Sequence, residues 1–348
     1  MKTKFISIIL FAFLMSVLFL ECGKTDSATK FINKNNQEES IKIIRFDTAL
    51  FAKPLPNTRE FLKNLQKKYP EMFQTTLDDP QYLAMITQFI SDERLRDAQN
   101  AVERTYPNLD FIEKDLTSAF AKLQKYKKET TLPKLFSLIL GPADFSYMFE
   151  NRVYTNGQYS TISLDMYSFP ALKNNPYYSQ VPQYMQETLN KNFIVPDFMK
   201  MYLKNVTFSN AKDVQLMPSC TLLDAIVDEG KYIYITKLLL SNYSDAQVLR
   251  YTDKQFAEIS KHESEIWAYI IQNKLLYEKD RSKYMSLTAE GPTSRPFELP
   301  SRVGYFIGYK IVKQFMNEED ITIDSLINLT DSQKILNLSK YKPPKQAK

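Results

Sequence analysis

The spacing of apolar and polar positions assigns most of the chain to helices. Ile41, Ile43 and Arg45 alternate with Lys42, Ile44 and Phe46, which predicts a short strand ending near Asp47. A helix follows from Thr58 to Tyr69, capped by Asn57 and stopped by Pro70. Gln81–Ile90 and Asp92–Arg104 read as two more, joined at Ser91. In Asn108–Tyr126 the residues Leu109, Ile112, Leu116, Phe120 and Leu123 form one stripe. The period then changes. Leu135–Leu140, Met148–Thr155 and Gln158–Leu164 are rich in β-branched and aromatic residues, and Asn156-Gly157 supplies a hairpin turn. After Pro170 the helical period returns in Tyr178–Asn190, Pro196–Asn205, Thr221–Leu240, Asp253–Leu276 and Arg302–Met316, with a last short helix at Ser332–Leu338. No repeat of 20–50 residues is evident. The expected fold is α+β, predominantly α-helical with a small antiparallel sheet.

The first residues change the picture of where the chain resides. Met-Lys-Thr-Lys precedes an apolar run, Phe5–Leu20, broken only by Ser7 and Ser16, and Cys22 follows directly. That is the layout of a signal peptide, too short to span a bilayer. A cysteine at that point suits diacylglycerol attachment and cleavage before it. Glu21 fits the cleavage position poorly, and an uncleaved anchor or a cut near Ser16 is the competing reading. Residues 1–21 are thus expected as signal peptide and 22–40, poor in apolar residues, as a flexible tether. Residues 41–343 form a single globular domain and 344–348 a tail. Several acyl chains together hold a protein stably at a membrane.

Composition removes several classes of function. The formal charge of +5 falls to +4 once Lys2, Lys4 and Glu21 leave with the signal peptide, and basic residues are scattered, so no nucleic-acid footprint is present. With Cys22 acylated, Cys220 has no intramolecular partner and no disulfide framework forms. His262 is the one histidine, so neither a paired-histidine motif nor a two-histidine zinc site can be written. The seven glycines make no phosphate-binding loop. No cofactor and no metal are expected.

Two carboxylates interrupt apolar stripes. Glu229 lines up with Leu222, Ile226 and Ile233, and Glu263 with Phe256, Ile259, Ile266 and Ile270. A buried carboxylate needs a partner, and Arg45 and Arg302 are the candidates. Arg302 stands in the first helical turn after Ser301, where the helix dipole disfavours a cation and an ion pair would offset it. The plain reading is structural pairing; the sharper one is a catalytic site. His262, between Glu258 and Glu265, reads as a solvated face, and a nucleophilic Cys220–His262 pair is the lesser reading. Gly304 and Gly308 align on one helix, and Gly230 lies on another. Each costs about 0.8–1 kcal/mol against alanine, which close packing would explain.

Eight segments carry a family resemblance: I-I-R-F-D-T-A-L-F (Ile43–Phe51), I-S-L-D-M-Y (Ile162–Tyr167), L-L-D-A-I-V-D-E-G-K-Y-I-Y (Leu222–Tyr234), H-E-S-E-I-W-A-Y (His262–Tyr269), L-L-Y (Leu275–Tyr277), G-P (Gly291–Pro292), S-R-V-G-Y-F-I-G-Y-K-I-V (Ser301–Val312) and S-K-Y-K-P (Ser339–Pro343). In order and spacing the chain resembles the gliding-motility lipoproteins of the GldB type. The resemblance implies a Bacteroidota envelope lipoprotein connected with gliding and with secretion-linked machinery, and the favoured expectation is that it binds other proteins of that apparatus. It also implies a distant likeness to predicted zinc peptidases, hence a degenerate zincin-like scaffold. There Glu229 would match a glutamate ligand, and the paired-histidine helix would fall on Pro196–Asn205, which has no histidine. The expectation is a non-catalytic component. The alternative is a periplasmic hydrolase of glycan or peptide with Glu229 and Glu263 as paired carboxylates, which must then converge with one pKa raised.

Overall fold

The strand expected at Ile41 is short because the chain turns helical at Phe46. In a computed structural model, which describes residues 40–52, 57–141, 145–211, 215 and 217–344, β1 (Ile43–Arg45) runs straight into α1 (Phe46–Leu50). The signal peptide, Cys22 and all but Ser40 of the tether lie outside the described residues, as does the tail beyond 344. Asp47, in the first turn of α1, is buried and draws three elements together. It accepts from Arg45 at 2.7 Å, from Ser137 Oγ at 2.5 Å and from Gln99 Nε2 at 3.2 Å.

Four helices follow: α2 (Thr58–Lys68), α3 (Pro80–Ser91), α4 (Glu93–Thr105) and α5 (Asp110–Tyr126). Their starts follow the side chains. Asn57, Asp79 and Asp92 each accept a backbone N–H in the first turn of the helix behind them. The joint between α3 and α4 therefore falls at Asp92, one residue after Ser91.

The sheet is mixed, which corrects the antiparallel expectation. Its order is β1-β2-β4-β3, with β2 at Lys134–Leu138, β3 at Val153–Thr155 and β4 at Tyr159–Ser163. Only the β3–β4 hairpin is antiparallel; β1 with β2, and β2 with β4, run parallel. Parallel neighbours need a long crossover, and α1–α5 supply the one between β1 and β2. The hairpin turns at Asn156-Gly157, where Gly157 takes φ +83° and Asn156 Oδ1 accepts from Gln158 and Tyr159. Met148, expected in a strand, lies in α6 (Phe145–Glu150).

The remaining chain is helical but more broken than its periodicity suggests: α7 (Phe169–Leu172), α8 (Gln183–Gln186), α9 (Ile194–Tyr202), α10 (Leu222–Leu239), α11 (Asp245–Val248), α12 (Asp253–Lys261), α13 (Glu263–Gln272), α14 (Arg281–Thr288), α15 (Val303–Glu318), α16 (Ile323–Asn328) and α17 (Ser332–Ser339). Of Tyr178–Asn190 only one turn is α-helix. Asp253–Leu276 divides at His262, which ends α12 and precedes α13.

Helix α10 is the central element. Residues on nearly every side of it are buried, including Leu222, Leu223, Ile226, Val227, Gly230, Ile233 and Ile235. It crosses α15 at Gly230 and Gly308. A Cβ on Gly308 would stand 1.8 Å from the Ile226 carbonyl oxygen, and one on Gly230 would stand 2.6 Å from the Gly308 carbonyl. Gly304 is nearly as tight, 2.9 Å from the Leu287 carbonyl of α14. The three glycines let main chain meet main chain. Among the described residues no helix is long and apolar enough to cross a membrane.

Candidate functional site

Glu229 projects from α10 towards α9, and its partner is a lysine rather than an arginine. Lys200 Nζ lies 2.6 Å from Glu229 Oε1. The glutamate side chain is 12% exposed, so the pair sits at the margin of the core. Burial pushes the Glu229 carboxyl up, yet the charges of Lys200, Lys204 and Arg302 outweigh it and hold the group below its ordinary value. Lys200 lies on α9, and its ammonium is the cation that meets Glu229.

Glu263 stands elsewhere, in the first turn of α13 because the helix breaks at His262. It is buried, accepts from Tyr341 at 2.9 Å and lies 3.2 Å from Lys310 Nζ. Its partners thus come from α15 and the segment after α17, and none is shared with Glu229. His262 is half-buried, its Nδ1 2.9 Å from the Glu258 carbonyl, and Cys220 is buried, its Sγ 3.5 Å from the Thr221 carbonyl. Among the described residues no hydrogen bond joins the two.

The two candidate arginines pair with other acids. Arg45 takes Asp47 and the Tyr106 carbonyl. Arg302 is not in the first turn of its helix. It caps α15 in a left-handed conformation, φ 65°, and its Nε lies 3.0 Å from Glu290 Oε1. Its other nitrogens donate to the Leu249 and Arg250 carbonyls at 3.1 and 2.8 Å.

Arg302 borders a polar hub that periodicity did not single out. At its centre is Asp197 of α9, buried, which accepts from Arg152 at 2.8 Å, Arg250 at 3.1 Å and the Tyr167 hydroxyl at 2.8 Å. Arg152 also donates to the Phe149 carbonyl, and Arg250 to that of Thr188. The Phe149 ring lies 4.0 Å from one guanidinium carbon and 4.7 Å from the other. Burial pushes the Asp197 carboxyl up, but the two arginines overcome it and keep it well below the usual carboxylate range. Tyr167 is pushed the other way by burial and by the Asp197 charge. The signal was present in the sequence. Asp197 interrupts the apolar run Ile194–Phe198 just as Glu229 interrupts its own stripe.

Chemically, the arrangement pairs charges. Among the described residues no three His, Cys, Asp or Glu side chains converge as a metal-holding group. A general acid at neutral pH needs a raised carboxyl pKa, and that of Glu229 is lowered.

The family model of the gliding motility protein GldB matches residues 28–343, which takes in the sheet, the α10–α15 crossing and the hub. The chain belongs to the GldB lipoprotein family. No curated protein matches it, and no solved structure does. Membership in the GldB family places the chain in gliding motility. The predominantly helical α+β fold belongs to this family member, whereas the expected zincin-like ancestry receives no support from the match.

Proposed function

We propose that this GldB-family protein is a non-catalytic component of the cell envelope, anchored through lipid on Cys22, which serves gliding and its associated secretion machinery by binding other proteins of that apparatus. The observation that carries the reading is the separate neutralisation of the two candidate acids. Glu229 is held by Lys200, and Glu263 by Lys310 and Tyr341, so the two acids have separate partners and do not converge as a pair.

The test is a Glu229→Gln variant, assayed for both thermal stability and gliding. Removing the charge of a hydrogen-bonded ion pair costs about 1.5–3 kcal/mol. Melting temperature and cellular abundance should fall, with gliding lost only as far as abundance is. A stable, abundant and non-gliding variant would overturn the non-catalytic reading and restore the hydrolase. The anchor is tested separately: mass spectrometry of the mature N-terminal peptide should find acyl groups on Cys22, and an unmodified thiol there refutes it.

A further inference from the structure

The hub around Asp197 holds more cations than carboxylates. Arg152, Arg250 and Arg302 stand against Asp197 and Glu290. Their side chains are only 12, 4 and 12% exposed, and the further acid near Arg302, Glu229, is already paired with Lys200. Donor capacity remains as well. Arg152 is engaged through Nε and Nη1, and Arg250 through Nε and Nη2. Among the described residues, Nη2 of the first and Nη1 of the second make no hydrogen bond.

Glu290 is loosely held for a carboxylate beside three arginines. Its contact with Arg302 Nε is close but out of hydrogen-bond alignment, and its other contact is a 3.5 Å one from Ser301 Oγ. It lies in the segment between α14 and α15 and is 29% exposed, the most open acid of the hub. The backbone is also unusual here. Arg250 and Arg302, two of the four non-glycine residues with positive φ among those described, adopt 64° and 65° in neighbouring positions. Strained backbone of this kind collects at ligand clamps and switch regions.

We propose that the Arg152–Arg250–Arg302 hub is a binding site for a carboxylate carried by another protein, with Glu290 as its exchangeable internal occupant. Guanidinium groups recognise carboxylates through a planar fork of paired donors, and a stacked aromatic ring such as Phe149 keeps the fork oriented. The shallow exposure of the arginines selects a carboxylate on a slender side chain or chain end. A lipid headgroup would need cations standing at the surface. The proposal draws on the protein-binding reading only for the carrier, since the hub's affinity for a carboxylate is measured without reference to gliding.

The experiment uses the full chain in detergent, native and Glu290→Gln, titrated calorimetrically at low ionic strength, where charge pairing is least screened. The probes are an acetylated, amidated peptide carrying four glutamates, its four-glutamine counterpart, and vesicles containing phosphatidylglycerol. Removing the internal competitor should tighten binding of the glutamate peptide about tenfold, with the glutamine peptide bound by neither protein. Replacing Arg302 by lysine in the Glu290→Gln background keeps the charge but removes the Nε–H that faces position 290, and the gain should vanish. Equal affinity of native and Glu290→Gln protein for the glutamate peptide overturns the proposal, as does equal binding of the two peptides. Preference of Glu290→Gln protein for vesicles over the peptide overturns it too.

Discussion

Helix α15 takes part in two regions built on opposite principles. Along its length Gly304 and Gly308 press against α14 and α10, and the contact exists because side chains are missing. Just before its first turn Arg302 enters the hub of Asp197 and Glu290, where contact exists because charges are present. The crossing cannot accept an added atom, and the hub cannot lose a charge without stranding another. The three glycines themselves carry no group whose charge could change. The hub holds ionised groups, among them Glu290, which is 29% exposed.

The sharpest way to break that comparison is at Asp197. Asp197→Asn leaves Arg152 and Arg250 buried against a neutral amide, and removal of one partner from such a set costs about 3–5 kcal/mol. For a domain with a stability of about 5–15 kcal/mol, denaturant unfolding at pH 7 should reveal a large loss. The pH dependence has a definite sign. The folded-state pKa of Asp197 is depressed, so its contribution is complete above the unfolded value of about 3.9 and is lost as pH falls through the folded value. The gap between native and Asp197→Asn protein should therefore narrow in acid below about pH 4. A gap that stays constant from neutrality into that acid range would show that the hub is held by shape and not by charge.

A smaller effect is expected at the crossing, and it should be graded. Gly308→Ala places a methyl against backbone that cannot rotate away, and overpacking of this kind costs about 3 kcal/mol. Gly304→Ala meets the Leu287 carbonyl at 2.9 Å and the movable Ile226 side chain at 3.1 Å. Its cost should be nearer 1 kcal/mol, the low end for overpacking. Thermal unfolding of the pair checks the order. Equal melting temperatures for Gly308→Ala and native protein would mean that the helices can separate at little cost, and the contrast with the hub would collapse.

The legible part of the fold is the part governed by neighbours in sequence. The cap at Asn57 and the turn at Asn156-Gly157 stand where their side chains dictate, because each acts on backbone within about three residues. The breaks at His262 and around Tyr178–Asn190 were not legible, since a stripe of apolar residues continues through a kink as readily as through a straight helix. The antiparallel expectation failed for a related reason. Strand residues carry no mark of the direction of their partner, and the crossover through α1–α5 sets it.

The site divides in the same way. The stripe through Glu263 is broken at His262, whereas sequence alone marked Glu229 as an acid inside an apolar stripe, pointed to close approach at Gly230, Gly304 and Gly308, and excluded a paired-histidine zinc site. Each of these follows from residue type and helical spacing, which are local quantities. Only the tertiary structure decided that Lys200 and Lys310, rather than Arg302 and Arg45, neutralise the two acids. It alone brought Arg152, Arg250 and Arg302 around Asp197 from segments as much as 150 residues apart. Charges find partners through space, at distances of a few ångströms that chain separation does not encode, so the pairing of buried ions is settled when the helices pack.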